Sequence, residues 1–213
     1  MKYTAVIFDL DGVICSTDNY HYLAWKVLAE EEGIYFDREI NHRLRGVSRM
    51  ESLEIILERA SRAYAGEEKA AMAERKNLIY NVLLEQMTPA DLPGEVANVL
   101  HTLKQSDVKI AIGSSSKNAR TILQRIGLDH AFDEISDGTN ISHSKPNPEV
   151  FLKAAKMLGE QPEDCLVVED AKAGIAAAVA GGFDSAGIGE AAEEEGVTYP
   201  LGAFRDLLGI VLG

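Results

Sequence analysis

TAVIFDLDG, residues 4–12, decides how this chain folds. Thr4 to Phe8 is a short run rich in β-branched and apolar residues. It predicts a central strand of a parallel sheet, buried on both faces. The run stops at Asp9-Leu10-Asp11-Gly12, where the glycine permits a sharp exit. Open α/β sheets bind ligands beyond the carboxyl ends of their strands, so both aspartates stand where a site is expected.

From about Asn19 to Met87 no comparable strand follows. Apolar residues recur there at helical spacing, as in Leu53, Ile56, Leu57 and Ala60, and helices are predicted over 20–32, 37–44, 48–63 and 66–85. Pro89, Asp91, Pro93 and Gly94 then punctuate the chain. Beyond them strand and helix patterns alternate. Helices are predicted over 95–106, 118–126, 148–158 and 173–180. Strands are predicted over 108–112, 132–135, 165–168 and, last, 183–188. Such βα units imply an α/β fold, a Rossmann-like doubly wound parallel sheet. A small α-helical cap domain (16–91) is inserted after its first strand, so the core is discontinuous (1–15 and 92–213). The acidic run Glu190 to Glu195 reads as a solvated loop.

The 213 residues suffice for one sizeable core and a smaller inserted domain. A formal net charge of −13 sets the average surface against nucleic acid and anionic membranes. The N-terminal stretch is broken by aspartates and reads as neither signal peptide nor membrane span. Cys15 and Cys165 lie far apart without metal spacing and read as free thiols of a reducing compartment. A cytoplasmic protein is expected.

The predicted strand ends carry Asp9 and Asp11, then Ser114, then Glu169 and Asp170, with Lys145 in a loop before a helix. Each has a plain alternative: turn chemistry for the aspartates, helix capping for Ser114 and the acidic pair, ordinary loop for Lys145. Together, at successive strand ends, they suit phosphoryl transfer. Attack by a carboxylate on phosphate opposes two negative charges, and a hard divalent cation such as Mg²⁺ neutralises both. Asp9 is then the nucleophile and a metal ligand, with Glu169 and Asp170 completing the acidic side of that site. Lys145, the Ser114 hydroxyl and backbone N–H groups near Gly12 and Ser115 would hold the transferring oxygens. Asp11 would serve as general acid and base.

These motifs, VIFDLDGV, GSSS, SKPNP and VVED, resemble those of the haloacid dehalogenase superfamily, in the branch whose nucleophile is followed by a second Asp. A closer likeness runs along most of the chain. YHYLAWK (20–26), LRGVSR (44–49), RKN (75–77), TPADL (88–92) and SKN (116–118) resemble the beta-phosphoglucomutase family. That resemblance implies interconversion of beta-D-glucose 1-phosphate and D-glucose 6-phosphate through an aspartyl-phosphate enzyme, with Mg²⁺ and with beta-glucose 1,6-bisphosphate as primer and intermediate. It also implies roles by position. Arg49 clamps the non-transferring phosphate, while Gly46, Val47 and Ser52 shape the cap side of the sugar site with Trp25. Ser115, Ser116, Lys117 and Asn118 contact substrate from the core. His21 and Lys76 orient Asp11, whose backbone joins the metal site, and Thr17 lies in the hinge. The chain departs from the family at Ser16, Arg45, Ser115 and Ala171, none of them a proposed catalytic group.

A planar guanidinium at Arg49 suits the task, because a mutase must grip a second phosphate from the cap. The expected partner is a small phosphorylated sugar, bound by a monomer. The alternatives are a Mg-dependent sugar-phosphate phosphatase on the same fold, a signalling receiver domain and a phosphate-binding module without turnover. A receiver would carry its aspartate on a middle strand and have no cap.

Overall fold

The computed structural model describes residues 2–213; Met1, with which the predicted core segment 1–15 opens, lies outside them. Ala5–Phe8 forms β1, and all four residues are buried. It pairs in parallel with β2 (Lys109–Gly113) on one side and β4 (Cys165–Glu169) on the other. Outside these lie β3 (Glu134–Ser136), β5 (Asp184–Ile188) and β6 (Tyr199–Leu201). The order is β3-β2-β1-β4-β5-β6. The strand order reverses at β1, which has β2 and β4 for neighbours. Their carboxyl ends therefore converge on one crevice.

Each face of the sheet has its own apolar layer. Val6, Phe8, Ile110, Ile112, Leu166 and Val168 join helix α5 (Gly94–Gln105), helix α6 (Ala119–Arg125) and the C-terminal α9 (Leu207–Leu212). Ala5, Ile7, Ala111, Cys165 and Val167 face the other way, against α7 (Glu149–Leu158) and α8 (Lys172–Ala180). Period-two alternation of buried side chains on a two-sided sheet explains why β1 reads as a continuous apolar run.

Between β1 and α5 the chain forms α1 (Asp18–Glu31), α2 (Arg38–His42), α3 (Arg49–Leu57) and α4 (Gly66–Leu84). Asp37 caps α2 by accepting from Ile40 N, and Ser48 with Glu51 forms a capping box on α3. Trp25, Leu28, Leu53, Ile56 and Met72 pack a third cluster of their own. Ala24, Tyr80 and Leu84 instead join the layer of the sheet, so α1 and α4 root the helical insertion in the core. No helix among the described residues is long and apolar enough to cross a membrane. Both cysteines are free and buried.

The structure differs from the sequence reading in four places. Helix α3 stops at Leu57, not at residue 63, because Arg59 N and Ala60 N turn to carbonyls three residues back and tighten the last turn. Strand β3 falls at Glu134–Ser136, two residues later than predicted at its start. The chain adds β6 and α9 after the strand expected to be last. The acidic run is exposed at Glu190, Glu193 and Glu195 as expected, but it begins in a short helical turn whose Ala191 is buried and whose Glu190 carboxylate lies 2.7 Å from His42 Nε2 on α2.

Candidate active site

Asp9 follows β1, Ser114 follows β2, and Glu169 ends β4 with Asp170 just after it. Carboxylate oxygens of Asp9, Glu169 and Asp170 can all lie within 4.8 Å of one another. Lys145 is fully buried behind them. Its Nζ donates to Asp9 Oδ1 at 2.5 Å and also to Glu169 Oε1. The second oxygen of Glu169 accepts from Asp170 N and Ala171 N, both at 3.0 Å. Glu169 is thus held at both oxygens. Asp9 and Asp170 both line the crevice.

One lysine does not balance this much negative charge. Burial, then the charges of Asp9 and Glu169, pushes Asp170 up to about 8. Burial, then Asp9, pushes Asp11 up to about 6. Burial also raises Glu169 against the pull of Lys145. Burial would lower the Lys145 ammonium, but the same two carboxylates outweigh it and hold it well up. Crowded, buried carboxylates resist their own ionisation. A hard divalent cation among these oxygen donors would relieve that resistance, so the residues fit a Mg²⁺ site. Gly12 closes the crevice floor with φ +96°, and a Cβ there would overlap the Asp170 carboxylate.

Above the carboxylates the cap and core enclose a cleft of about 630 Å³. Its walls include Asp9, Asp11, Thr17, His21, Trp25, Gly46, Val47, Arg49, Ser52, Lys76, Ser114, Ser115, Ser116, Lys117, Asn118 and Asp170. The sequence-predicted site residues therefore gather at one cleft, except Lys145 and Glu169, which are buried outside its lining. Gly46 turns through φ +74° and approaches the core at Ala171, where an added Cβ would stand 3.1 Å from that side chain. Asn118 Nδ2 donates to Asn77 Oδ1 at 3.1 Å across the cleft.

Asp11 is hydrogen-bonded apart from the Asp9–Lys145–Glu169 cluster. The Thr17 hydroxyl, buried at the start of α1, donates to Asp11 Oδ1 instead of capping its own helix. Beside them Lys76 Nζ lies 2.9 Å from His21 Nδ1 and 4.9 Å from the Trp25 ring centroid. Both members of that pair are buried. Burial, then Lys76, pulls His21 well below its ordinary value, and burial, then Arg49, does the same to Lys76. Arg49 is more open, with Nη1 3.8 Å from the exposed Glu74. Glu74, Asn41 and Gly138 also line the cleft, and sequence spacing offered no signal for them.

Residues 3–182 match the sequence profile of the haloacid dehalogenase-like hydrolases. The chain is 46% identical to the beta-phosphoglucomutase of Bacillus subtilis over 87% of its length and 83% of the relative's. It is 32% identical to the fructose-1-phosphate phosphatase YqaB of Escherichia coli, over 86% of this chain and 95% of that one. The crystal structure of beta-phosphoglucomutase from Clostridium difficile superposes with a TM-score of 0.90 at 39% identity, covering 96% of this chain and 93% of the other. Together these likenesses and the strand-end carboxylates make the chain a member of the haloacid dehalogenase-like hydrolase family, grouping with its beta-phosphoglucomutases.

Proposed function

We propose that this chain is a beta-phosphoglucomutase, converting beta-D-glucose 1-phosphate to D-glucose 6-phosphate and back through a phosphate carried on Asp9. The observation that carries the reading is the pairing of Asp9 with a second aspartate that is held back. Asp9 is gripped by Lys145 at one oxygen and open at the other, while Asp11 is tied to Thr17. A nucleophile in place with its general base parked suits transfer to a sugar rather than to water.

In this scheme Asp9 starts phosphorylated. Lys145 and the Ser114 hydroxyl hold the phosphoryl oxygens, helped by backbone N–H groups near Gly12 and Ser115. Glucose phosphate enters with its non-reacting phosphate on Arg49, whose fork can take two oxygens at once. Trp25 and the Gly46–Val47 turn enclose the sugar and exclude water. Asp11 leaves Thr17, takes the proton of the sugar hydroxyl, and the phosphate passes from Asp9 to the sugar. The resulting beta-glucose 1,6-bisphosphate turns end for end. Asp11 then returns its proton to the leaving oxygen as Asp9 takes the other phosphate. Mg²⁺, held by Asp9, Asp170 and Glu169 with the Asp11 backbone, would screen the charge between carboxylate and phosphate. The small cap is read as residues 16–91 on a core of 1–15 and 92–213, with Thr17 at the hinge. A monomer working in the cytoplasm completes the reading, and a net charge of −13 disfavours nucleic acid and anionic membranes as partners.

The YqaB relative favours one rival, a sugar-phosphate phosphatase. Incubation with beta-glucose 1-phosphate, Mg²⁺ and a trace of bisphosphate separates them. The mutase yields glucose 6-phosphate with little inorganic phosphate, and Asp9→Asn abolishes the yield. Steady release of phosphate and free sugar would establish the phosphatase instead.

A further inference from the structure

Tyr80 lies one turn beyond Lys76 on α4, is completely buried, and takes no part in the scheme above. Its ring is held on two sides. The His21 ring lies 4.2 Å away at 36°, and Lys76 Nζ stands 4.3 Å from its centroid. Its oxygen has no such support: it is sealed from solvent without a hydrogen-bond partner among the described residues. Buried hydroxyls almost always find partners, and an orphaned one in a packed site calls for a reason.

The neighbours supply one. Asp11, Cys15 and Arg49 act on the phenol through charge, and Thr17 lies near enough to hydrogen-bond with it. Burial, then the charge of Asp11, keeps its proton on, so the group remains a donor. Arg49 has no acceptor to offer and Cys15 only a weak one. Thr17 has already given its proton to Asp11 Oδ1, which leaves its oxygen lone pairs free to accept. A bond from the phenol to Thr17 Oγ1 completes a chain from phenol to hydroxyl to carboxylate.

We infer that Tyr80 is a positioning residue, whose hydroxyl donates to Thr17 Oγ1 and so holds the Thr17–Asp11 pair away from phosphorylated Asp9 until sugar arrives. This rests on Asp9 carrying the phosphate and Asp11 being the general base. Loss of the phenol oxygen would loosen Thr17, free Asp11 early, and let it activate water. The phosphoenzyme would then decay faster, while the grip on glucose phosphate would stay the same as long as the Tyr80 ring, against which His21 and Lys76 pack, is kept.

The test compares the wild-type protein with Tyr80→Phe, which keeps the ring and its contacts. Each is phosphorylated with acetyl phosphate and Mg²⁺, and decay of the phosphoenzyme in water is followed without sugar. Decay should accelerate by about 2- to 10-fold, the range of one net hydrogen bond. KM for beta-glucose 1-phosphate should be unchanged. Thr17→Val should accelerate decay to a similar degree, Thr17→Ser should behave as wild type, and the Tyr80→Phe/Thr17→Val double variant should add nothing to Thr17→Val alone. Unchanged decay in Tyr80→Phe, additive effects in the double variant, or parallel losses in decay and turnover would overturn the inference. If Tyr80→Phe does not fold, the two Thr17 variants decide: equal decay in Thr17→Val and Thr17→Ser overturns it. A wild-type protein that makes phosphoenzyme but no glucose 6-phosphate would sink the mutase reading alone, since decay still reports on Tyr80.

Discussion

The two walls of the cleft are built on opposite principles. On the core wall Asp9, Lys145 and Glu169 are buried, interlocked and fixed by strand ends. On the cap wall Arg49 is partly open and its nearest ionic partner is an exposed glutamate 3.8 Å away. Geometry must be fixed where a bond is made and broken, because small misplacements there cost large factors in rate. On the proposed mutase scheme it must be forgiving where one pocket would accept the same sugar phosphate in two orientations. The walls also differ in charge. The core holds too many carboxylates for its one lysine, so Asp170 and Asp11 hold protons unusually tightly. Under the cap, the buried His21 and Lys76 give protons up unusually easily.

The largest expected effect breaks the core wall. Lys145→Ala leaves two buried carboxylates facing each other. Removing one partner of such a pair costs about 3–5 kcal/mol, which in metal-free buffer should lower the melting temperature by about 10 °C and abolish turnover. A melting temperature close to wild type would mean the core is not prestressed as described.

Mg²⁺ should act on the same wall with the opposite sign. Between the usual carboxylate range and about 8, the folded protein binds more protons at Asp170 than the unfolded chain does. Metal-free stability contributed there therefore falls as pH rises through that window. Saturating Mg²⁺ should raise the melting temperature by about 5–10 °C at pH 8, and by clearly less at pH 5.5, where protons compete. An equal rise at both values would contradict the charge imbalance.

The cap pair sharpens the contrast because its sign is reversed. His21 is depressed below its ordinary 6.5, so below that pH the unfolded chain takes up a proton that the folded protein refuses. Stability is intact above 6.5 and is lost as pH falls. His21→Asn should remove part of that loss, narrowing the drop in melting temperature between pH 7 and pH 5 by about 3 °C. A drop of the same size in both proteins would show that His21 is not the group responsible.

The smallest effect on stability belongs to the adaptable cap donor. Arg49→Lys exchanges a planar fork for a point charge. It should raise KM for beta-glucose 1-phosphate by about 10-fold while leaving the melting temperature within about 1 °C. A fall in kcat with KM unchanged would place Arg49 in the chemical step instead.

The same contrast governs how much was legible in the sequence. The core wall reads directly, because β1, β2 and β4 are buried strands whose apolar runs end abruptly in Asp9, Ser114 and Glu169-Asp170. Backbone geometry alone then brings those residues together. The cap residues carried no such signal. Arg49, His21 and Lys76 look like ordinary helix polar residues, and only family likeness singled them out. Tyr80 was invisible because a buried tyrosine at helical spacing looks like packing. Strand β6 was missed because Pro200 sits in its middle. Proline lacks the ladder donor and is tolerated only at a sheet edge, which is where β6 lies. Glu190 is exposed, as its acidic run implies, but its pairing with His42 carried no signal because the two are remote in sequence.

The proposed mechanism stands on phosphate attaching to Asp9, and chemical trapping tests that most directly. Borohydride reduction of the enzyme, quenched seconds after mixing with beta-glucose 1,6-bisphosphate and Mg²⁺, converts an acyl phosphate to an alcohol. Peptide sequencing should then find homoserine in place of Asp9 within the tryptic peptide 3–26, with Asp11 intact. Conversion at Asp11 or elsewhere, or an unmodified Asp9 in a preparation that turns over, would contradict it.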